Sequence, residues 1–174
     1  MFYLVNIQKS IRLEPKDLGG NFDKKIMQKI RDNNEGQYSG SLGYVIQVFQ
    51  LKRDQISEGK VQDTTGDVIF LVNFQALTFR PENKEVHDGL VTEVSQDGFY
   101  VESGPLRSFI NKERVPAHYV FDRSSNAFIS DRDISLKIRV GSDVRYKIFQ
   151  TKLDVQGITA LSTINENYLG PITA

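Results

Sequence analysis

The side chains best suited to chemistry in this sequence are aromatic rings and cations within one short stretch. Phe99 and Tyr100 are neighbours in a segment that alternates as a strand does, so they point to opposite faces. We take Phe99 as the ring that enters a core and Tyr100 as the outward ring. An exposed ring can stack a nucleobase, at about 1 to 3 kcal/mol per base, while nearby cations contact phosphates. The residues predicted to contact single-stranded RNA are Tyr100, Arg107, Lys112 and Arg114. A tyrosine that covers a barrel end or a domain interface fits the spacing of Tyr100 equally well.

The residue pattern offers no support for catalysis. The two histidines, His87 and His118, lie outside any recognisable nucleophile or metal-ligand spacing. Cysteine is absent, which excludes disulfides, thiolate zinc sites and cysteine nucleophiles. Carboxylates such as Asp131 and Asp133 lie in polar segments that also contain Lys and Arg, which is typical of a solvated surface. We expect no catalytic residue, no metal site and no cofactor.

The charge of the chain is balanced. Its 174 residues include 22 basic and 22 acidic side chains, so no overall field attracts nucleic acid. The part from Glu82 onward is slightly acidic. Any RNA contact must therefore be local, and we expect it to be weak and salt-sensitive. No stretch approaches the roughly 20 apolar residues of a membrane span, so we expect no membrane partner.

The second half of the chain is patterned as β-structure. Five segments alternate apolar and polar residues between turn signals: Val86–Val94, Phe99–Ser103, Leu106–Ile110, Val144–Thr151 and Gly157–Thr163. Five short strands are typical of the OB-fold barrel. An insertion at about 115–139 separates the third and fourth strands. Within and just beyond it, the alternation of Ile134, Leu136, Ile138 and Val140 predicts one extra strand.

The first half mixes strands with a helix. Strands are predicted over Phe2–Ile7, Tyr44–Leu51 and Val68–Phe79, the second of them apolar on both faces as a covered central strand would be. Asn21 is predicted to cap a helix. The apolar face of that helix consists of Phe22, Ile26, Met27 and Ile30.

A polar segment with a proline, Arg80–Lys84, marks the predicted boundary between two domains. The fold class is therefore α+β, with an N-terminal domain over 1–80 and an all-β domain over 81–174.

Two sets of motifs, in order along the whole chain, carry a resemblance to a known family. The barrel segments are similar to the S-one RNA-binding repeat, an OB-fold domain: Gly89-Leu90-Val91, Gly98–Val101, Gly104–Ile110, Gly141–Ile148 and Gly157–Ser162. Further motifs resemble the stalk subunits of RNA polymerases, a family that includes the archaeal stalk proteins and the seventh subunit of the eukaryotic enzymes: Met1-Phe2-Tyr3, Leu13-Glu14-Pro15, Tyr44-Val45-Ile46, Phe79-Arg80-Pro81, Gly104-Pro105 and Tyr168-Leu169-Gly170. The ending Asn167–Gly170 looks most like the polymerase II form.

The resemblance implies a truncated RNP-like α/β domain followed by a five-stranded OB-fold barrel of the S-one type. It implies a non-catalytic stalk subunit of DNA-directed RNA polymerase II in the nucleus, which supports transcription initiation. The implied partners are the fourth subunit, in a heterodimer, the polymerase core, and nascent single-stranded RNA. The loop implied to dock on the core consists of Val61, Gln62, Asp63, Thr64, Thr65 and Gly66.

The chain departs from the family pattern at both implied contact sites. The family's tip usually carries a Pro-Gly-x-Gly turn, whereas this chain has Asp63–Gly66. Asp97 and Asn111 stand where better RNA-binding barrels carry rings, so only Tyr100 of three stacking positions keeps its ring. Two other functions fit the residues: a free-standing single-stranded RNA-binding protein with an OB-fold domain, and the polymerase III counterpart.

Overall fold

The computed structural model describes residues 1–133, 135–154 and 156–172 of the chain. The chain forms two compact units. The N-terminal unit is Phe2–Arg80, and the C-terminal unit begins at Pro81 and also includes Met1. Within the described residues, no helix is long and apolar enough to cross a membrane.

The N-terminal unit is an antiparallel sheet with one α-helix on one face. Its elements are β1 (Phe2–Leu13), α1 (Phe22–Asn34), β2 (Gln37–Tyr38), β3 (Tyr44–Val48), β4 (Lys60–Val61) and β5 (Val68–Phe79). The sheet order is β1-β5-β3-β2, and β4 pairs with the start of β5. Strands β1 and β5 pair along their full length, from Phe2 opposite Phe79 to Leu13 opposite Val68.

The core of this unit lies between α1 and the sheet. Ile26 and Ile30 of the helix are fully buried, as their spacing on one helical face predicts. The alternating residues of β5 face them and are also buried: Val68, Phe70, Val72, Phe74 and Ala76. The predicted long strand and the apolar helix face are therefore confirmed. The first strand continues to Leu13, beyond the predicted Ile7.

Two local predictions in this unit are wrong. Strand β3 ends at Val48, and Ile46 and Phe49 are exposed because α1 covers only one face of the sheet. A register shift between Val45 and Gln47 also displaces Ile46 from regular pairing. Asn21 does occupy the N-cap position of α1, but its side chain makes no capping hydrogen bond.

The C-terminal unit contains a closed five-stranded barrel. Its strands are β6 (Val86–Ser95), β7 (Gly98–Ser103), β8 (Leu106–Asn111), β12 (Asp143–Asp154) and β13 (Gly157–Thr163). They pair in the order β6-β7-β8-β13-β12, and β12 returns to β6 to close the barrel. The β8–β13 pair is parallel and the other pairs are antiparallel. This is the OB-fold barrel that the five alternating segments predict.

The interior of the barrel is filled by side chains of all five strands. Its fully buried hydrophobic residues are Val91, Phe99, Val101, Leu106, Ile110, Val144, Tyr146, Ile148 and Ile158. The hydroxyls of Ser108 and Ser162 lie 2.5 Å apart within this interior and share a hydrogen bond. Burial raises the pKa of the Tyr146 phenol to about 12.

The insertion between β8 and β12 differs from the prediction of one extra strand. It contains β9 (Tyr119–Asp122), β10 (Ala127–Ser130) and β11 (Lys137–Ile138), which form a separate antiparallel sheet. Of the predicted alternating segment, Ile138 lies in β11 and is buried, whereas Val140 is exposed after that strand has ended. Ile134 lies outside the described residues. A last short strand, β14 (Gly170–Pro171), pairs with the start of β12.

Candidate nucleic-acid interface

Four outward-facing side chains form a row across four strands of the barrel. Tyr100 on β7 is opposite Phe109 on β8, Phe109 is opposite Leu161 on β13, and Leu161 is opposite Gln150 on β12. Phe99, the neighbour of Tyr100, is fully buried, so the predicted orientation of this pair of rings is confirmed. Directly opposed side chains on one face of a sheet are in contact range. The row is therefore a continuous, largely apolar strip on the outside of the barrel.

A second row runs beside the first and carries charge. Arg107 on β8 lies between Glu102 on β7 and Thr159 on β13, and Thr159 is opposite Lys152 on β12. Apart from Glu102, the residues of the two rows line an open groove of about 500 Å³. A groove with rings on one side and cations on the other suits a strand whose bases stack and whose phosphates face the cations.

The rings of the groove are packed on one another and on a cation. The centroids of Tyr100 and Phe109 lie 4.8 Å apart at an interplanar angle of 46°. The guanidinium carbon of Arg107 lies 4.4 Å from the centroid of Tyr100. Both contacts fall within the ranges of favourable ring–ring and cation–π pairs. They hold Tyr100 in one orientation, half-buried, with part of its surface available to a base.

Two acidic side chains neutralise the arginine of the groove. Arg107 forms an ion pair with Glu93 at 2.9 Å and approaches Glu102 at 3.9 Å. A register shift between Val91 and Glu93 brings Glu93 opposite Tyr100 and thus beside Arg107. A phosphate must compete with these carboxylates for the guanidinium, which weakens its contribution to binding.

The hairpin that presents Tyr100 depends on a close approach at Gly98. Gly98 has φ 151° and lies opposite Asn111 in the β7–β8 pairing. A Cβ at this position would meet the carbonyl oxygen of Ile110. Glycine is therefore required where β7 begins, two residues before Tyr100.

The four predicted RNA contacts do not form one cluster. Tyr100 and Arg107 line the groove together, whereas Lys112 and Arg114 do not line it. They belong to a 3₁₀ turn that follows β8, Lys112–Arg114. Lys112 is exposed, and Arg114 stacks on Phe149 of β12, with its guanidinium carbon 3.9 Å from the ring centroid.

Reasoning from the sequence missed most of the residues that line the groove, including Phe109, Lys152 and Leu161. The position of Phe109 could have been predicted from the sequence. A tight turn after Ser103 pairs Ser103 with Leu106, and this register places Phe109 opposite Tyr100. The positions of Leu161 and Lys152 could not have been predicted in this way. Their place in the groove depends on the parallel β8–β13 pair and on barrel closure, which are contacts between distant parts of the chain.

Asp97 and Asn111, the residues at the expected ring positions, both make hydrogen bonds to the turn after β8, Asp97 through its backbone and Asn111 through its side chain. The carbonyl of Asp97 accepts a hydrogen bond from the amide of Lys112 at 2.9 Å. The side-chain oxygen of Asn111 accepts one from the amide of Glu113 at 3.2 Å and caps the 3₁₀ turn. Both residues therefore contribute to the connection between β8 and the insertion.

The predicted tip loop of the N-terminal unit is an ordered, exposed turn between β4 and β5. Residues Val61 to Gly66 are all exposed, and the side chain of Val61 is 65% exposed. The carbonyl of Gln62 accepts a hydrogen bond from the amide of Gly66 at 2.8 Å, and its amide donates to the carbonyl of Asp67 at 2.8 Å. Gly66 has φ +70°, a conformation that favours glycine.

A buried carboxylate fixes the base of this turn. Asp67 accepts a hydrogen bond at 2.6 Å from Nε of Arg12 on β1. A hydrogen bond with Thr65 and this contact with Arg12 lower the pKa of the Asp67 carboxyl. This contact attaches the base of the loop to β1.

The two histidines have ordinary structural surroundings. His87 lies 3.1 Å from a carboxylate oxygen of Glu85, and the ring of His118 packs on Tyr119 at 4.6 Å between centroids. Among the described residues, no group of three or more His, Asp or Glu side chains is placed to hold a metal ion.

The barrel and its outer groove define the class of this protein. Residues 80–160 match the S1 RNA binding domain, which is the S-one repeat of the sequence motifs. The match spans four of the five barrel strands in full and the start of the fifth. The C-terminal unit is an S1-type OB-fold domain.

Curated proteins match the chain from end to end. The DNA-directed RNA polymerase II subunit rpb7 of Dictyostelium discoideum is 35% identical over 174 residues, covering 99% of each chain. The polymerase II subunit RPB7 of Saccharomyces cerevisiae is 32% identical over 174 residues, covering 99% of this chain and 100% of the yeast protein. The polymerase V subunit 7 of Arabidopsis thaliana is 29% identical over 135 residues, which is 76% of this chain and 74% of the plant protein. The chain belongs to the family of RNA polymerase II subunit 7, and the resemblance noted in the sequence is confirmed.

Proposed function

We propose that this chain is a non-catalytic stalk subunit of DNA-directed RNA polymerase II in the nucleus. In this role it pairs with the fourth subunit, docks on the polymerase core, supports transcription initiation and holds nascent RNA weakly. The observation that carries the proposal is the identity of 35% and 32% over nearly the full length of two polymerase II subunits. The polymerase V subunit matches a smaller part of the chain, which favours the polymerase II form.

The N-terminal unit is proposed to be a truncated RNP-like domain that attaches the chain to its protein partners. A single helix packed on one face of an antiparallel sheet supports this assignment. The opposite face carries exposed apolar side chains at Leu4, Ile46 and Leu71. Exposed apolar groups of this kind are typical of a surface that a partner covers, and we assign it to the fourth subunit.

The Val61–Gly66 turn is proposed to dock on the polymerase core. It is exposed, yet the Arg12–Asp67 contact and its own backbone hydrogen bonds hold its shape. A preformed loop loses less conformational freedom on binding than a flexible one. Val61 at its edge supplies an apolar contact.

The barrel groove is proposed to bind the transcript as a single strand. Tyr100 and Phe109 supply stacking surfaces, and Arg107 and Lys152 supply charge. The ion pairs of Arg107 with Glu93 and Glu102 support weak rather than tight binding.

Affinity purification of the tagged chain from its own cells tests the proposal. We expect the largest subunit of polymerase II and the fourth subunit to co-purify. The variant Val61→Asp should reduce recovery of the core while retaining the fourth subunit, and Leu4→Asp should reduce recovery of the fourth subunit. Lys60→Gln, beside the tip turn, is the matched control and should behave as the unmodified chain. Recovery of no polymerase subunit would indicate a free-standing RNA-binding protein, and recovery of the polymerase III largest subunit would indicate the polymerase III counterpart.

A further inference from the structure

Phe149 is an exposed ring that a strand irregularity places on the outside of the barrel. In the β12–β13 pairing, Ile148 is opposite Ser162 and Gln150 is opposite Leu161, so Phe149 is an extra residue between two regular pairs. This bulge reverses the alternation of β12, because Ile148 is buried while both Phe149 and Gln150 are exposed. Phe149 is 53% exposed. Bulges often re-aim side chains beside functional sites.

Arg114 lies over this ring, and the end of β13 anchors its backbone. Its guanidinium carbon is 3.9 Å from the centroid of Phe149. The carbonyl of Arg114 accepts hydrogen bonds from the amide of Ile164 at 3.1 Å and from the hydroxyl of Thr163 at 3.1 Å. The stacked pair is therefore positioned by the barrel and not by a flexible loop.

The charge of Arg114 is available to a ligand. Among the described residues it has no carboxylate within ion-pair distance, whereas Arg107, Arg145 and Lys147 are each paired with an acidic side chain. An exposed ring capped by an unpaired guanidinium combines a stacking surface with a phosphate contact.

We infer that Phe149 and Arg114 form a second nucleotide subsite, which takes an unpaired base of the same RNA strand that occupies the Tyr100 groove, with the phosphate of that nucleotide at Arg114. The inference rests on the proposed RNA-binding function. Gln150 lines the groove and is the chain neighbour of Phe149, so the two sites adjoin on one outer surface. Lys112, exposed in the same turn as Arg114, extends the cationic edge. A strand that leaves the groove past Gln150 reaches Phe149 next.

If Phe149 and Arg114 form a subsite, their contribution to RNA affinity should depend on the length of the RNA. Fluorescence anisotropy of the full chain with labelled oligouridylates of about four, eight and twelve nucleotides at low salt measures this dependence. Phe149→Leu keeps the apolar bulk but removes the ring, and Arg114→Gln removes the charge but keeps the backbone contacts. Both should weaken binding of the longest oligonucleotide about three- to ten-fold and leave the shortest unchanged. Tyr168→Ala is the matched control, because it removes a ring that is 95% exposed and does not line the groove.

The outcomes separate the subsite from the proposed function. Equal weakening at every length would mean that Phe149 shapes the groove itself, and unchanged binding of the longest oligonucleotide would mean that its ring is structural; either result overturns the subsite alone. Failure of the unmodified chain to bind any oligonucleotide would overturn both the RNA role and the subsite. Co-purification with polymerase subunits is independent of all three results.

Discussion

Removal of the carboxylate of Glu93 should strengthen RNA binding. Glu93 pairs with Arg107 at 2.9 Å beside Tyr100, so a phosphate that approaches the groove must displace it or bind next to it. The substitution Glu93→Gln keeps the size and the hydrogen-bonding capacity of the side chain but removes its charge. Arg107 remains stacked on Tyr100, keeps only its longer contact with Glu102 at 3.9 Å, and becomes more available to phosphate.

The size of the effect follows from the exposure of the pair. The side chains of Arg107 and Glu93 are 45% and 63% exposed. Ion pairs this exposed are worth about 0.2 to 1 kcal/mol. This range corresponds to a gain in affinity of about 1.4- to five-fold, since about 1.4 kcal/mol is a factor of ten. One additional phosphate contact should also steepen the dependence of log affinity on log salt by about 0.7 for a single strand.

Anisotropy titrations of a labelled oligouridylate at several salt concentrations measure both quantities. Asp88→Asn is the matched control, because Asp88 forms a similar exposed pair with Arg145 that does not line the groove. It makes the same change in net charge. If Glu93→Gln binds RNA no more tightly than Asp88→Asn, or if the two variants show the same salt dependence, any gain in affinity reflects net charge alone. Arg107 would then not be a phosphate contact.

Three further predictions concern stability. Burial raises the pKa of Tyr146 to about 12, so the stability that its neutral form contributes is complete below pH 10 and is lost as pH rises from 10 to 12. In urea titrations, Tyr146→Phe should lose less stability over this pH range than the unmodified chain. An equal loss in both proteins would contradict the buried neutral phenol. Gly98→Ala should lower the free energy of unfolding by about 1 to 3 kcal/mol because the new methyl group meets the Ile110 carbonyl, and a wild-type urea midpoint would refute the close approach. The contacts of Asp67 with Thr65 and Arg12 lower the pKa of its carboxyl. The unmodified chain should therefore be more stable than Asp67→Asn above pH 4, and this difference in stability should shrink at lower pH. A difference that is constant from pH 7 to pH 3 would argue against the ionised contact.

The barrel could be predicted from the sequence because local alternation specifies most of it. The buried residues Val144, Tyr146 and Ile148 alternate with outward residues, as do the buried residues of β7 and β8. A strand with one covered face must alternate in this way, so the pattern reveals both the strand and its inward side. The prediction was wrong in the insertion, where strands as short as Lys137–Ile138 give too few residues for a period to appear.

The candidate site was only partly predictable, because two irregularities create it. A register shift after Val91 places Glu93 beside Arg107, and the bulge at Phe149 places that ring next to Gln150. A bulge adds one residue to one strand and is recognised only against its partner strand. Alternation within a single strand therefore could not reveal that Glu93 lies opposite Tyr100. Nor could it reveal that Arg114 stacks on Phe149 and does not line the groove.

Weak binding is consistent with the role proposed for this barrel. Three of the four cations on the described barrel strands have acidic partners, namely Arg107 with Glu93, Arg145 with Asp88 and Lys147 with Glu166. Few phosphates can then be neutralised, so stacking must supply most of the affinity. A free RNA-binding protein with a site this weak would be largely unoccupied unless the RNA concentration approached its dissociation constant. A barrel anchored beside the point where RNA emerges experiences that RNA at an effective concentration on the order of millimolar, so even a millimolar site is occupied about half the time. The acidic pairing therefore favours a subunit that holds its own transcript transiently and releases other RNA.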